Sequence, residues 1–146
     1  MTLKLPVSVL VVIHTPALEV LLLERASRAG FWQSVTRSLD AADEPLAGAA
    51  RREVGEETGI DALPEKLRRL PLTYTFEVYP EWRHRFVPGT IHNTEHVFSL
   101  EVPLPGLVRL APGEHTASLW LPWPEAAAKC FSWSNRDAIR MLASRA

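Results

Sequence analysis

The sequence predicts one domain of mixed α/β (α+β) class, in which a mixed β-sheet is flanked by helices. The chain has 146 residues, which suits one domain and is too short for two well-packed cores. Hydrophobic residues make up 47% and charged residues 23%, as in an average globular protein. Segments rich in β-branched residues lie before and after a segment with helical signals, and no repeat or linker separates them. We therefore treat residues 1–146 as one domain.

Three strands are predicted before the first helix. Val7–Ile13 is nearly continuous in apolar, β-branched residues, which is typical of a strand covered on both faces. After a break at Pro16, Glu19–Arg25 is predicted as its neighbour, and Phe31–Thr36 as a short third strand.

The first helix is predicted from about Pro45 to Thr58. Asp43 or Glu44 can cap it, Pro45 suits its first turn, and Gly59 offers a left-handed stop. The remaining elements are predicted in the second half of the chain. They are alternating strands at Leu72–Tyr79 and His96–Val102, a short strand at Ser118–Leu121, a short helix at Pro124–Lys129 and a C-terminal helix capped by Ser134 with Asp137.

Composition excludes several classes of protein. The formal net charge is −1 and both signs are mixed along the chain, so there is no broad basic field for polymeric nucleic acid. The apolar run that follows Pro6 is too short to span a membrane and lacks the basic residues of a signal peptide. Cys130 is the only cysteine, and we expect it to be a buried residue in a reducing compartment. These observations predict a cytoplasmic protein without a membrane partner.

The predicted first helix carries three carboxylates within about one turn, those of Glu53, Glu56 and Glu57. At about 100° per residue, Glu53 and Glu57 are separated by roughly 40° around the helix axis, and Glu56 lies about 60° to the other side. All three can converge on one ion. The bland alternative is a solvated acidic face, in which like charges repel one another by a few tenths of a kcal/mol per pair.

The helical wheel favours the ion site. Leu46, Ala49 and Ala50 share the sector of Glu53 and Glu57, whereas Arg51, Gly55 and Thr58 are expected on the opposite side. The carboxylates would then lie along the side that packs on the sheet, where uncompensated charge is costly. A hard cation such as Mg²⁺ removes that cost and keeps positions open for phosphate, while Arg52 can pair with Glu56 four residues later.

This stretch resembles the signature of the Nudix hydrolases, which is Gly, five residues, Glu, seven residues, then Arg-Glu-aliphatic-x-Glu-Glu-x-Gly-aliphatic. The matching residues are Glu44, Arg52, Glu53, Val54, Glu56, Glu57, Gly59 and Ile60. The resemblance implies an α/β/α sandwich around a mixed sheet and a pyrophosphohydrolase dependent on Mg²⁺, with Mn²⁺ as an alternative. It also implies that Glu53 and Glu57 bind metal, that Glu56 supports them or adds a ligand, and that Arg52 and Glu44 orient the helix.

One position departs from this signature. Ser38, or Arg37 if one residue is inserted, stands where the family has its glycine. The family's glycine lets the loop turn tightly before the helix. A side chain here can shift that loop, and Arg37 would add a cation beside the phosphate site.

Further segments resemble the bacterial branch of this family that cuts dihydroneopterin triphosphate to the monophosphate and pyrophosphate. They are Phe31–Thr36, Arg83–Arg85, Pro88–Gly89, Asn93–Glu95 and Ser132–Arg136. The resemblance implies a set of substrate contacts, namely Lys4, Arg25, Thr36, Phe76, Glu77, Val78, Tyr79 and Ser132, and adds Glu114 to the metal ligands. Lys4 and Arg25 suit a polyanion, and Phe76 or Tyr79 can cover a flat ring.

Alternatives remain open from the residues alone. Phe76 and Tyr79 can be divided between core and surface, Ser134 can serve only as a cap, and Arg83–Arg85 can be a solvated edge strand or a positive rim for phosphate. The histidines, including His115, show no ligand spacing and are assigned no metal role. The substrate can be another nucleoside triphosphate, and a non-catalytic Nudix-fold binding module is the alternative of a different class. A monomer is expected.

Overall fold

The computed structural model describes residues 2–145 and contains one seven-stranded sheet. Its strands are β1 Val7–His14, β2 Glu19–Arg25, β3 Trp32–Gln33, β4 Val35–Ser38, β5 Leu67–Glu77, β6 His92–Glu101 and β7 His115–Pro122. The sheet is mixed because β1 and β6 pair in parallel, whereas the other pairs are antiparallel. Three α-helices accompany it: α1 Leu46–Thr58, α2 Trp123–Lys129 and α3 Trp133–Ser144.

The helices cover both faces of the sheet, as predicted. On one face, alternate β1 residues such as Val9 and Val11 pack against Ala50 and Val54 of α1. On the other face, Leu10 and its neighbours pack against α2 and α3. This arrangement is the expected α/β/α sandwich, and it explains why β1 is apolar on both sides. None of the helices within residues 2–145 is long and apolar enough to cross a membrane.

The predicted third strand is two strands in the structure, because the chain changes partner within it. Trp32–Gln33 pairs with β2, whereas Val35–Ser38 pairs with β1. At the change, the Ser34 backbone N–H donates to Asn135 Oδ1 at 2.8 Å instead of to a strand. This contact ties the sheet to the start of α3.

The predicted side-chain caps are wrong at both full helices. The residue before α1 is Pro45, with no side-chain cap, and Glu44 accepts hydrogen bonds from Arg52 instead. At α3 the cap is Ser132, not Ser134, because Ser132 Oγ accepts from the Asn135 backbone N–H at 3.2 Å. Asp137, the expected partner in that cap, accepts instead from the Tyr74 hydroxyl.

The other predicted bounds also need correction. Strands β5, β6 and β7 begin earlier than predicted, and β5 passes Pro71 through a register shift between Arg69 and Thr73, where a missing N–H is tolerated. Pro80–Arg85 is a 3-10 helix, so the edge-strand interpretation of Arg83–Arg85 is wrong. Thr58 is buried, contrary to the helical wheel, and its hydroxyl donates to the Val54 carbonyl. The left-handed stop at Gly59 is confirmed by its φ of 74°.

Candidate active site

Two of the three helix glutamates face the sheet. Glu53 and Glu57 are each 1% exposed, next to the apolar residues Ala50 and Val54 of the same helix. Glu56 lies on the outer side with its side chain 56% exposed. The helix therefore presents a pair of buried carboxylates, with the third at its edge.

Arg52 connects that third carboxylate to the pair. Its guanidinium donates to both oxygens of Glu44, at 2.9 and 3.1 Å, and also to Glu53 and to Glu56, the latter at 3.3 Å. Glu44 accepts in addition from the Asp40 backbone N–H at 2.9 Å. The hydrogen bonds with Glu44 and the charges nearby raise the pKa of Arg52, and the same pairing lowers the pKa of Glu44. Arg52 thus fixes the loop before α1 and one oxygen of Glu53.

The start of β7 supplies two more groups. One ligand atom each from Glu57, Glu114 and His115 lie within 4.8 Å of one another. Glu114 was predicted here, but His115 was not, since its spacing in the sequence gives no sign of this neighbour. A register shift in the β2–β7 pairing sets His115 opposite Arg25, and the fold buries the imidazole.

The hydrogen bonds around His115 indicate its tautomer. Gln33 Oε1 accepts from Arg25 at 3.4 Å, so the Gln33 amide nitrogen is left to donate to His115 Nε2, at 3.3 Å. The proton of a neutral ring then lies on Nδ1, 3.7 Å from Glu57 Oε1. Burial lowers the pKa of His115, which favours this neutral form. The imidazole nitrogen therefore faces Glu57 without a hydrogen bond between them, and both atoms remain unpaired.

The carboxylate corner, by which we mean Glu53, Glu57 and Glu114, fits a hard divalent cation. Within residues 2–145, six buried side-chain atoms lack a hydrogen-bond partner. Three of them are oxygens of this corner, Glu53 Oε2 and both oxygens of Glu57, and a fourth, His115 Nδ1, lies beside it. Burial, together with the charges of Glu53 and Glu114, raises the pKa of Glu57 to about 9, and burial also raises the pKa of Glu53. Unpaired oxygens at such a cost are the donor set that Mg²⁺ or Mn²⁺ binds.

Arg37 borders this corner. It lies on β4 on the same side as Val35, which belongs to the core beneath α1, and its guanidinium pairs with Glu114. That hydrogen bond is the main reason why the pKa of Arg37 is raised. Neither Arg37 nor Ser38 has a positive φ, so the backbone at the family's glycine position needs no glycine. Arg37, at or next to that position, adds a cation without backbone strain.

A cavity of about 610 Å³ opens beside β4. The eight residues predicted as substrate contacts all line it: Lys4, Arg25, Thr36, Phe76, Glu77, Val78, Tyr79 and Ser132. The Val78 side chain is buried, whereas Tyr79 is exposed and packs on Trp82 with ring centroids 5.0 Å apart. The structure therefore brings the predicted residues to one place, with aromatic rings on the side formed by residues 76–82.

Five basic residues line the cavity: Arg136 and a group of four that consists of Lys4 and three arginines, Arg25, Arg37 and Arg85. Burial lowers the pKa of Lys4, and the charges of the three arginines lower it further. The guanidinium carbons of Arg25 and Arg85 lie 5.0 and 5.6 Å from the centroid of Trp82. Mutually repelling cations held in place by an aromatic ring form a site for a polyanion.

Glu95 and Asn93 line the same cavity and were not among the predicted contacts. Both lie on β6 and are buried. Burial raises the pKa of Glu95 to about 7, although the hydroxyls of Ser134 and Thr36 act in the opposite direction. The predicted strand began at His96, so neither residue was placed on a strand, and Glu95 lies in the part of β6 that pairs in parallel with β1.

Comparisons with known proteins agree with this geometry. The model of the NUDIX domain family matches residues 4–142. The dihydroneopterin triphosphate diphosphatase of Escherichia coli K12 is 43% identical over 142 residues, covering 95% of this chain and 93% of that protein. The protein of the same name from Haemophilus influenzae is 33% identical, covering 91% and 84%.

Solved structures give the same result. The structure of the E. coli dihydroneopterin triphosphate pyrophosphohydrolase superposes with a TM-score of 0.91 at 42% identity, covering all of both chains. An Ap4A hydrolase from C. elegans superposes with a TM-score of 0.72 at 20% identity, covering 95% of this chain and 96% of that one. The latter similarity concerns the fold alone.

Proposed function

The chain belongs to the NUDIX domain family, and on that premise we propose that it hydrolyses dihydroneopterin triphosphate to dihydroneopterin monophosphate and pyrophosphate. Relatives with that activity in their names, at 43% and 33% identity over most of the chain, support the proposal. The observation that carries it is the placement of an unsatisfied carboxylate corner beside a cationic cavity with aromatic walls. The metal-binding carboxylates and the cations suit a phosphate chain, and the aromatic walls suit a flat ring.

Lys4, Arg25 and Arg37 would bind the phosphate chain. Lys4 and Arg25 line the cavity and are near enough to the carboxylate corner for the charge of Glu114 to act on both and that of Glu57 on Arg25. Arg37 contacts Glu114 directly. A triphosphate held by these cations has its ring end in the cavity and its phosphates at α1.

A Mg²⁺ ion held by Glu53, Glu57 and Glu114 would activate a water for attack on phosphorus and neutralise the charge of the leaving pyrophosphate. The protein's own part is to hold the ligands. Arg52 and Glu44 fix Glu53, His115 lies beside Glu57, and the sheet excludes water beneath both carboxylates. Two predictions, the cytoplasmic location and the monomeric state, remain untested.

The deciding experiment is hydrolysis of dihydroneopterin triphosphate beside the four dNTPs, with Mg²⁺ or with chelator. We expect pyrophosphate release from the pterin substrate to exceed that from every dNTP and to disappear with chelator. Glu57→Gln should lose at least about 100-fold in activity because it removes a ligand charge. Glu65→Gln, the same change at an exposed residue of the 3-10 helix Pro64–Lys66, should retain it.

Each other outcome has a defined meaning. Activity on dNTPs alone would retain the hydrolase and reject the pterin substrate. Binding without hydrolysis, with Glu57→Gln equal to the unchanged protein, would identify a non-catalytic module.

A further inference from the structure

Two buried acceptor atoms remain unpaired at the cavity, away from the carboxylate corner. They are Glu95 Oε1 and Asn93 Oδ1, the last two of the six unpaired atoms within the described residues. Glu95 is 5% exposed and Asn93 is 3% exposed, and both line the cavity. A buried acceptor without a donor costs about 1–3 kcal/mol, and more when it is charged. A ligand that supplies donors would remove this cost.

The other atoms of these side chains already have partners, which fixes the orientation of both. Thr36 Oγ1 donates to Glu95 Oε2 at 3.3 Å, and Asn93 Nδ2 donates to Ser8 Oγ at 2.8 Å. Because the amide nitrogen of Asn93 is used, its carbonyl oxygen is the atom that remains. With Glu95 ionised, the pair therefore offers two acceptors and no free donor.

The strand register places this pair beside an aromatic wall. Asn93 and Glu95 are two residues apart on β6 and so lie on one face of the sheet. Phe76 is opposite Asn93, and Ser8 is opposite Glu95. All four residues line the cavity, so a ring packed on Phe76 would have its edge near the two acceptors.

We propose that Glu95 and Asn93 determine ring specificity, by accepting hydrogen bonds from an exocyclic amino group and the adjacent ring N–H of a 2-amino-4-oxopyrimidine ring. The inference rests on the proposed function for the identity of that ring, since pterin has this edge. Guanine has the same pair of donors, whereas cytosine and thymine do not. The pair would therefore select bicyclic substrates of this type before the phosphates are considered.

The carboxylate corner, where the phosphates would bind, and the ring pocket lie on opposite sides of β4. On β4, Thr36 contacts Glu95, and the next residue, Arg37, contacts Glu114. Successive side chains of a strand point to opposite faces. A substrate whose ring reaches Glu95 can thus place its phosphates at the carboxylate corner by crossing β4.

The hydroxyls of Thr36 and Ser134 both lower the pKa of Glu95, yet no hydrogen bond reaches its Oε1, so a structural role does not account for that oxygen. The start of α3 is already capped by Ser132, and Asn135 is bonded to Ser34. A metal role is also unsupported. The cluster of possible metal ligands within residues 2–145 consists of Glu57, Glu114 and His115 and does not include Glu95. The partner that these acceptors lack is an uncharged ring with N–H groups along one edge.

Binding of dihydroneopterin, without phosphates and in chelator, tests the pair apart from metal and catalysis. We expect Glu95→Gln to weaken binding by about 10- to 100-fold, because a charged acceptor is replaced by an amide. Asn93→Ser should weaken it less, and it serves as the second variant if Glu95→Gln fails to fold. Glu101→Gln, the same change at the end of the same strand, should bind within about twofold of the unchanged protein.

The outcomes separate this inference from the proposed function. If the unchanged protein binds dihydroneopterin and both variants bind it equally well, the inference is overturned while the hydrolase proposal stands. If the unchanged protein neither binds dihydroneopterin nor cleaves its triphosphate, the proposed function fails. In that case the inference about Glu95 and Asn93 is tested by the ratio of kcat/KM for dGTP to kcat/KM for dCTP. A preference for dGTP that collapses in Glu95→Gln supports the pair, and an equal ratio in both proteins overturns it.

Discussion

At the scale of single residues, the site is organised by polar atoms that the fold buries without partners. Arg37 shows how a cation can border such a site, because it lies at or next to the family's glycine position, has no positive φ and pairs with Glu114. Glu95 shows the opposite condition, an acceptor whose partner is missing. Glu95 is buried, so its charge acts strongly, whereas Arg37 is exposed and its charge is partly screened by solvent.

The raised pKa of Glu95 predicts a specific dependence of stability on pH. Its pKa is 4.5 in the reference state and about 7 in the folded protein, so the folded protein binds more protons between these values. The contribution of Glu95 to stability is therefore full below about pH 4.5 and is lost as the pH rises through 7. Glu95→Gln removes this titration.

Urea unfolding in chelator measures this effect. We expect the free energy of unfolding of Glu95→Gln, relative to the unchanged protein, to rise by about 2 kcal/mol between pH 5 and pH 8. The new amide is expected to shift the free energy of unfolding by the same amount at every pH. Only the change of the difference with pH therefore reports on the titration of Glu95. A flat difference for Glu95→Gln would show that its carboxyl titrates normally.

At the scale of the element, α1 needs a sharp end to place Glu57. Gly59 has a φ of 74° and its N–H donates to the Gly55 carbonyl, while a Cβ added there would lie 3.2 Å from Arg109 Cβ. Gly48 lies in the same helix at negative φ, and a Cβ there would be 3.9 Å from its nearest neighbour, Pro45 Cβ. The two glycines differ in the conformation they require.

Alanine substitutions at these two positions should have opposite signs. We expect Gly59→Ala to lower the free energy of unfolding by about 1–2 kcal/mol, because it combines left-handed strain with a tight contact. Gly48→Ala should raise it by about 0.5–1 kcal/mol through helix propensity. Chemical denaturation of both variants measures the difference, and equal effects would mean that the helix end is not set by Gly59.

An element was predictable from the sequence when the contacts that define it are between residues close together in the chain. Helix α1 and the inward side of Glu53 and Glu57 were predictable because helical periodicity is local. The choice of Ser132 over Ser134 as the α3 cap was not, since both are serines and the docking of Asn135 on Ser34 decides between them. The division of Phe31–Thr36 likewise depends on which neighbour each half pairs with.

At the scale of the whole molecule, the carboxylate corner joins parts of the chain that are distant in sequence. Glu53 and Glu57 come from α1, whereas Glu114 and His115 come from the start of β7. This distance explains why spacing gave no ligand role to His115 and why resemblance was needed for Glu114. The burial of Glu95 has the same origin, in the parallel pairing of β1 with β6.

A cation at this corner should stabilise the entire fold, because it would tie α1 to β7 and satisfy oxygens that are otherwise unpaired. Binding only to the folded state adds RT ln(1 + [L]/Kd), which is about 2.7 kcal/mol when Mg²⁺ is at 100 times its Kd. We expect the Tm to rise with Mg²⁺ and to return with chelator. Glu57→Gln should lose most of this response, although it can start from a higher Tm because a buried charge is removed. Glu65→Gln should respond like the unchanged protein. An equal response to Mg²⁺ in all three proteins would place the ion elsewhere and would separate the metal from the carboxylates of α1.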